Sequence, residues 1–329
     1  MKPRVLITGG AGFIGSNAVR HFYTSQDFEL TSVVDKLTYA ANADWVKKFP
    51  VNFYTHDIAD CSWQYVLEKE DVDVIINFAA ESHVDNSIDD GSAVEFVKSN
   101  ISGVCALLNG IRRHKKLTGK SIFFIQVSTD EVLGDLPLDS TEACTEDYPL
   151  HPNNPYSATK AAAELWIQSM YHTHGDFSYA IVRATNNYGP HQHFEKFLPT
   201  VIRSVVQDKQ IPIYGDGKNI REWLWTTDFI RGIDNIITKY WEDPKAVNTE
   251  IFHFGSGLRE TNLDIVRKIL EEMGRTEKLI EYVTDRPGHD RKYALNFDKA
   301  KEVLGWAPQM SFDIGLLLVI RDIKERLEG

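Results

Sequence analysis

Short apolar runs alternate with longer amphipathic stretches over the first half of the chain. Arg4-Val5-Leu6-Ile7-Thr8 is a continuous apolar run ended by glycine, the pattern of a strand buried on both faces. Leu30 to Val34, Asn52 to Thr55, Val74 to Ala80 and Ser121 to Ser128 repeat that pattern. Ile14 to Phe22, Ala93 to Arg113 and Pro155 to Tyr171 carry helical spacing between and after them. The alternation is regular to about residue 183 and predicts an α/β domain with a doubly wound parallel sheet. Beyond it, longer irregular segments carry Pro190, Pro199, Pro212, Pro287 and Pro308. They predict a smaller C-terminal α/β portion that binds substrate. Strands near 224–254 are expected to return to the first sheet. One unit is then 1–183 with about 224–254, and the other is 184–223 with 255–329. Leu316 to Ile320, closed by Arg321-Asp322, predicts an amphipathic terminal helix.

The first strand runs straight into Gly9-Gly10-Ala11-Gly12-Phe13-Ile14-Gly15. Strand, glycines and helix in that order make a dinucleotide-binding turn. Gly9 permits the tight turn, and Gly12 clears the backbone for a pyrophosphate. Gly15 is expected to let helix pack on strand, and the helix opened by Phe13 and Ile14 turns its N-terminus to the phosphates. Asp35 ends the second strand, about 20 residues on, where a carboxylate binds ribose hydroxyls and repels a 2′-phosphate, so NAD is the expected cofactor. Lys36 beside it is read either as a contact that would favour NADP or as a solvated lysine. Asp57 and Ile58 end the third strand and suit an adenine edge and face. Ala79 and Ala80 leave the fourth with small side chains against which a cofactor can lie.

Ser128-Thr129-Asp130-Glu131 sits at the carboxyl end of the fifth strand, where open parallel sheets bind ligands. Tyr156 and Lys160 are four apart and share a helix face. A lysine ammonium beside the phenol is expected to lower its pKa from near ~10 and make Tyr156 a usable base. Asp130 and Glu131 add an acid/base pair that simple alcohol oxidation does not need. One must be protonated and the other ionised, and adjacent desolvated carboxylates push their pKa values apart in that way.

Composition narrows the partners. A formal net charge of -11 without a basic cluster argues against nucleic acid, and requires locally gathered arginine and lysine for an anionic substrate. No run of ~18 apolar residues is present, so no membrane span is expected. Cys61, Cys105 and Cys144 have no CxxC spacing, and a strand begins within a few residues of Met1. A cytoplasmic protein without a signal peptide is expected. His172 with His174 and His191 with His193 lack a third ligand at motif spacing, so no metal is assigned.

These residues resemble the extended short-chain dehydrogenase/reductases, Rossmann-type proteins, and within them the nucleoside-diphosphate-hexose 4,6-dehydratases, most of all the dTDP-glucose 4,6-dehydratase group. The carriers span nearly the whole chain: Asp35 to Ala40, Ala79 to Asp85, Ser128 to Val132, Tyr156 to Lys160, Asn186 to Pro190, Gly215-Asp216-Gly217 with Arg221-Glu222-Trp223, and Asp285 to Asp290. The resemblance implies that Tyr156 takes the proton of the sugar O4 hydroxyl while C4 gives hydride to NAD. Thr129 bonds the same oxygen, and Lys160 supports Tyr156. Glu131 removes the C5 proton and Asp130 protonates the departing C6 hydroxyl. Ser82, His83, Asn187, Lys196, Arg221, Arg286 and His289 are expected on the substrate side. A homodimer is implied, paired through the helices at Ala93–Arg113 and Ala161–Ala163.

Several positions depart from the family pattern. Leu133 replaces a tyrosine, Thr185 a smaller residue and Glu222 a frequent aspartate. Gln192-His193-Phe194-Glu195 replaces a loop with proline before the glutamate. These changes leave UDP-glucose and UDP-N-acetylglucosamine open as substrates. A 4-epimerase or decarboxylase would need Tyr156 and Lys160 but not the carboxylate pair, and a silent NAD-binding protein would need neither.

Overall fold

The computed structural model describes residues 2–89 and 91–328. The strands in chain order are β1 (Arg4–Thr8), β2 (Glu29–Asp35), β3 (Asn52–Thr55), β4 (Val74–Asn77), β5 (Phe123–Thr129), β6 (Ser178–Ala184), β7 (Asn186–Tyr188), β8 (Ile211–Tyr214), β9 (Ile220–Trp225), β10 (Ile251–Phe254), β11 (Arg259–Thr261) and β12 (Ile280–Val283). Among the described residues, seven of them form one sheet in the order β10-β6-β5-β4-β1-β2-β3. Every neighbouring pair in it is parallel. Order reverses at β1, which lies between β2 and β4, and a crevice opens at the strand ends there.

Period-two alternation explains the two layers of helices. Val5, Ile7, Val33, Ile76, Phe123 and Ile125 face one way, onto helices Phe13–Thr24 and Thr226–Glu242. Leu6, Val34, Ile75 and Phe124 face the other way, onto helices Trp63–Glu70, Gly103–Thr118 and Pro155–His174. A separate core gathers Tyr188, Ile202, Ile213, Trp223, Ile265 and Val319. It ties helices Phe197–Val206, Asn262–Glu272 and Phe312–Glu328 to the small sheets β11-β9-β7 and β12-β8. No helix of the described residues is long and apolar enough to cross a membrane.

The return to the large sheet is narrower than the sequence pattern implies. Only β10 rejoins it, beside β6, whereas Ile220–Trp225 pairs with β7 and β11 in a separate sheet. The alternation of β9 looks like that of a large-sheet strand because Trp223 and Trp225 bury against the second core.

The helix expected over Ala93–Arg113 is interrupted. Ala93–Val97 leads into a π turn at Lys98–Ser102 before Gly103–Thr118. The wider turn presents Asn100 to the chain leaving β4. Its Oδ1 accepts from Glu81 N at 2.9 Å, and its Nδ2 donates to Glu81 O at 3.0 Å and to Thr159 Oγ1 at 2.9 Å. A π turn at a binding site is a recurring use of that irregularity.

Candidate active site

One cavity of about 530 Å³ lies at the carboxyl ends of β1, β4 and β5 and runs into the C-terminal portion. All the residues read as site candidates line it: Gly9, Gly12, Phe13, Ile14, Gly15, Asp35, Lys36, Asp57, Ile58, Ala79, Ala80, Ser82, His83, Thr129, Asp130, Glu131, Tyr156, Lys160, Asn187, Lys196, Arg221, Arg286 and His289.

The glycine turn shows which glycine does what. Gly9 has φ 68, and a Cβ there would lie 2.6 Å from Ala79 N. Gly12 is open: a Cβ would meet only Gly9 O, at 3.4 Å, which leaves room on the cavity side for a diphosphate. The expected role of Gly15 is corrected. A Cβ on it would lie 2.1 Å from Gly9 O, so it closes the turn on itself. Helix-to-strand packing rests on Gly10, where a Cβ would lie 2.5 Å from Val33 and 3.1 Å from Val19.

Asp35 accepts from Ala11 N at 2.9 Å and Leu37 N at 2.8 Å, so backbone amides hold both carboxylate oxygens in place. Burial raises its pKa, with those two amides opposing. Lys36 is neither a free cation nor a solvated one. Its ammonium lies 3.0 Å from Glu81 and donates to Ser99 Oγ at 2.6 Å. With Asp35, Asp57 and Glu81 together and Lys36 already engaged, this end suits uncharged ribose hydroxyls rather than a 2′-phosphate. The open Gly12 and the fixed Asp35 fit NAD.

Pro155 and a capping box between Asn154 and Ser157 start the helix that carries Tyr156 and Lys160. Thr129 caps a single 3₁₀ turn, Asp130–Leu133, by accepting from Glu131 N. The electrostatics revise one expectation. Lys160 Nζ donates to Val127 O at 2.6 Å, and burial lowers its pKa to about 8. The Tyr156 phenol is pushed up, first by burial and then by Glu131 and Asp130, with the Thr129 hydroxyl opposing. The expected lowering by the lysine four residues away is not seen: the Lys160 ammonium is engaged by Val127 O, and burial and the two carboxylates set the phenol.

The two carboxylates are raised to different degrees. Burial, then the charge of Glu131, raises Asp130 well above the carboxylate range. Asp130 Oδ2 is buried without a partner. Burial raises Glu131 as well, but Asn154, Arg286 and Arg221 pull it back. Asn154 Nδ2 donates to Glu131 Oε2 at 3.2 Å. Asp130 is therefore the better proton donor and Glu131 the better acceptor.

On the far wall Arg221 donates to Ile220 O at 2.9 Å and Asp290 O at 2.8 Å, with its guanidinium 4.5 Å from the Tyr293 ring centre. Arg286 donates to Asp85 at 3.0 Å, and His289 meets Asp285 at 2.6 Å. Lys196 donates to Ser82 O at 3.0 Å, and Asn187 Nδ2 to Thr185 O at 3.1 Å.

The departures mostly miss the cavity. Phe194 turns away from it, with Arg326 4.2 Å and Arg203 5.6 Å from its ring centre, while His193 faces in. Leu133 is buried in a satellite core. Glu222 reaches Gly257 N at 2.9 Å and Arg259 at 3.3 Å, outside the lining. Thr185 lines the cavity. Sequence reasoning missed Asp85, Glu195, Tyr214 and Asn262 as lining residues. Asp85 and Glu195 stood inside quoted motifs. Nothing local marked the other two.

A doubly wound sheet whose switch-point cavity also holds an acid/base cluster is the architecture of a dinucleotide-dependent enzyme. The GDP-mannose 4,6 dehydratase family model matches residues 6–317, and the chain belongs to that family. It is 42% identical over 316 residues to a low-salt glycan biosynthesis protein of Haloferax volcanii, covering 95% of this chain and 96% of that one. It is 39% identical over 341 residues to a dTDP-glucose 4,6-dehydratase of Haemophilus influenzae, covering 96% of each. The crystal structure of a dTDP-glucose 4,6-dehydratase from Bacillus anthracis in complex with NAD matches with a TM-score of 0.87 at 35% identity, covering 99% of this chain and 98% of that one. A UDP-glucose 4-epimerase from Thermotoga maritima with UDP-glucose also reaches a TM-score of 0.87, at 26% identity, covering 98% of this chain and 99% of that one. Fold likeness alone does not separate the two chemistries.

Proposed function

We propose that this protein is an NAD-dependent lyase that removes water from a nucleoside-diphosphate hexose, dTDP-glucose first, and yields the 4-keto-6-deoxy sugar nucleotide. The observation that carries the reading is the Asp130–Glu131 pair lining the cavity with Tyr156, both raised by burial, Asp130 the further, and Glu131 opposed by Asn154, Arg286 and Arg221. Epimerisation at C4 has no use for such a pair.

Residues 1–183 with β10 hold the cofactor, through the glycine turn, Asp35, Asp57, Ala79, Ala80 and Lys160. Residues 184–223 and 255–329 hold the sugar nucleotide, with Lys196, Arg221 and Arg286 facing its diphosphate. Bound NAD supplies the oxidant for C4, the reductant for C6 and a positive charge that opposes the carboxylates' effect on Tyr156. Tyr156 takes the O4 proton and Thr129 holds that oxygen. The C4 ketone acidifies C5–H, Glu131 accepts that proton, and Asp130 gives a proton to the C6 hydroxyl as the C–O bond breaks. Three free thiols, each raised by burial, suit a reducing cytoplasm.

The test is a sugar-nucleotide panel in heavy water, read by mass spectrometry. dTDP-glucose is expected to lose water, gain deuterium at C5 and release no stoichiometric NADH. Net NADH build-up would exclude the reaction. A kcat/KM for UDP-N-acetylglucosamine more than tenfold above that for dTDP-glucose would move the substrate assignment.

The chain pairs as a homodimer through the interrupted helix of Ala93–Arg113, which is Ala93–Val97, the π turn and Gly103–Thr118, and through Pro155–His174. They pack on one another and leave Val94, Val97, Leu165 and Trp166 exposed to solvent. A second copy that places the same patch across a two-fold axis would bury these side chains. Sedimentation at micromolar concentration is expected to give a species of twice the 37.5 kDa chain. A monomer alone would contradict it.

A further inference from the structure

Two segments from different portions of the chain meet across the cavity. Residues 37–45 follow β2, and residues 190–196 follow β7. Thr38, Ala40 and Ala41 of the first and Gln192, His193 and Glu195 of the second line the same cavity, so a bond between the segments ties two parts of its wall together.

Their two ends are joined differently. At one end the His191 ring stacks on Trp45, with centroids 4.2 Å apart and planes within 3°. Ser16 Oγ lies 3.1 Å from His191 Nδ1, and Asn17 donates to Pro190 O at 3.0 Å. His191 adopts φ 72 there, a left-handed conformation that a histidine keeps only when its surroundings hold it. At the other end the Tyr39 hydroxyl donates to Glu195 Oε1 at 3.1 Å and accepts from Asn86 at 3.3 Å. The His193 ring meets Tyr39 edge-on, 5.5 Å between centres, and its Nδ1 lies 3.5 Å from Glu195 Oε2. Tyr39 is 54% exposed whereas Trp45 and His191 are half-buried, so water competes more for this bond than for the stacked rings. Even its partial burial, and then the neighbouring Glu195, push the Tyr39 phenol up, which keeps it a donor. The segment also reports to the ribose carboxylate, since Asp35 Oδ1 accepts from Leu37 N.

We propose that Tyr39 and Glu195 are positioning residues that fasten the openable end of this strap and set how slowly NAD leaves the cavity. The proposal rests on the reading that the cavity holds NAD. A redox-neutral enzyme needs such retention, because cofactor lost after the first hydride step would strand the sugar as a ketone. Neither side chain takes part in proton transfer. Opening requires breaking the Tyr39–Glu195 bond while the stacked Trp45–His191 end stays closed.

The experiment follows exchange of protein-bound NAD against an excess of isotopically labelled NAD, by mass spectrometry of the bound fraction. It needs no sugar nucleotide and no turnover. Tyr39→Phe keeps the ring against His193 and removes only the hydroxyl. It is expected to exchange roughly three- to tenfold faster than wild type, as loss of one partly exposed bond to a carboxylate allows. Glu195→Gln should accelerate exchange in the same direction, and the double variant should be no faster than the faster single variant. Tyr39→Phe at the wild-type rate would overturn the proposal, and so would two effects that multiply. Wild-type protein that yields no NAD on denaturation would remove the cofactor reading itself, a separate and earlier failure.

Discussion

Tyr156→Phe is expected to lower kcat/KM by roughly 10²–10⁴, the range for removing a positioned base. The loss should fall on the first step. The ring stays packed by Val84 and Phe96, and Lys160 keeps its bond to Val127 O, so only the phenolic oxygen is removed. Stopped-flow absorbance of transient NADH reads C4 oxidation directly, and the variant should show none on the wild-type time scale while retaining its NAD. The wild-type rate should also decline at alkaline pH. Lys160 is charged below about 8 and loses its proton above it, and on the proposed mechanism that cation supports Tyr156. Unaltered transient NADH in Tyr156→Phe would remove Tyr156 from the mechanism.

Asp130→Asn and Glu131→Gln should separate oxidation from elimination. Each removes an acid or base needed only for water loss, so dehydration should fall by roughly 10²–10⁴ while C4 oxidation persists. Reduced cofactor should then build up on the enzyme with no dehydrated product in the mass spectrum. The pH signs differ. Asp130 must carry a proton, so dehydration falls as pH rises through its raised pKa. Glu131 must be ionised, so dehydration falls as pH drops through its own raised value. Glu131→Gln should abolish the acid limb, and Asp130→Asn should keep that acid limb and leave Lys160 alone to set the alkaline one. Dehydration at the wild-type rate in both variants would refute the roles.

Much of this site could be read in the sequence because its parts are local. β1 and β3 occupy the residues their apolar runs mark, and the glycine turn, Thr129-Asp130-Glu131 and Tyr156 to Lys160 each lie within one strand end or one helix turn. What could not be read depends on depth or on distant partners. The phenol of Tyr156 moves up rather than down because of burial, which no spacing encodes, and then because of Glu131 and Asp130. Lys36 is neutralised by Glu81, far along the chain, and Phe194 is drawn outward by Arg326 of the terminal helix. Tyr214 and Asn262 reach the cavity from β8 and from a helix start whose local patterns are those of any small sheet and any capped helix.

The late return of β10 has a consequence for how the molecule is made. Ile251 to Phe254 pairs with Ile181 to Ala184, so the outer edge of β6 gains its partner only after residues 185–250 have been synthesised. Until then a chain emerging from the ribosome carries a buried-type strand, Tyr179-Ala180-Ile181-Val182, with one row of backbone groups unpaired. Such an edge is a template for association with other chains. The seven-stranded sheet is therefore not a module that can be completed from residues 1–184 alone. The detour through the second portion is a clasp that closes only once Ile251 to Phe254 has been made.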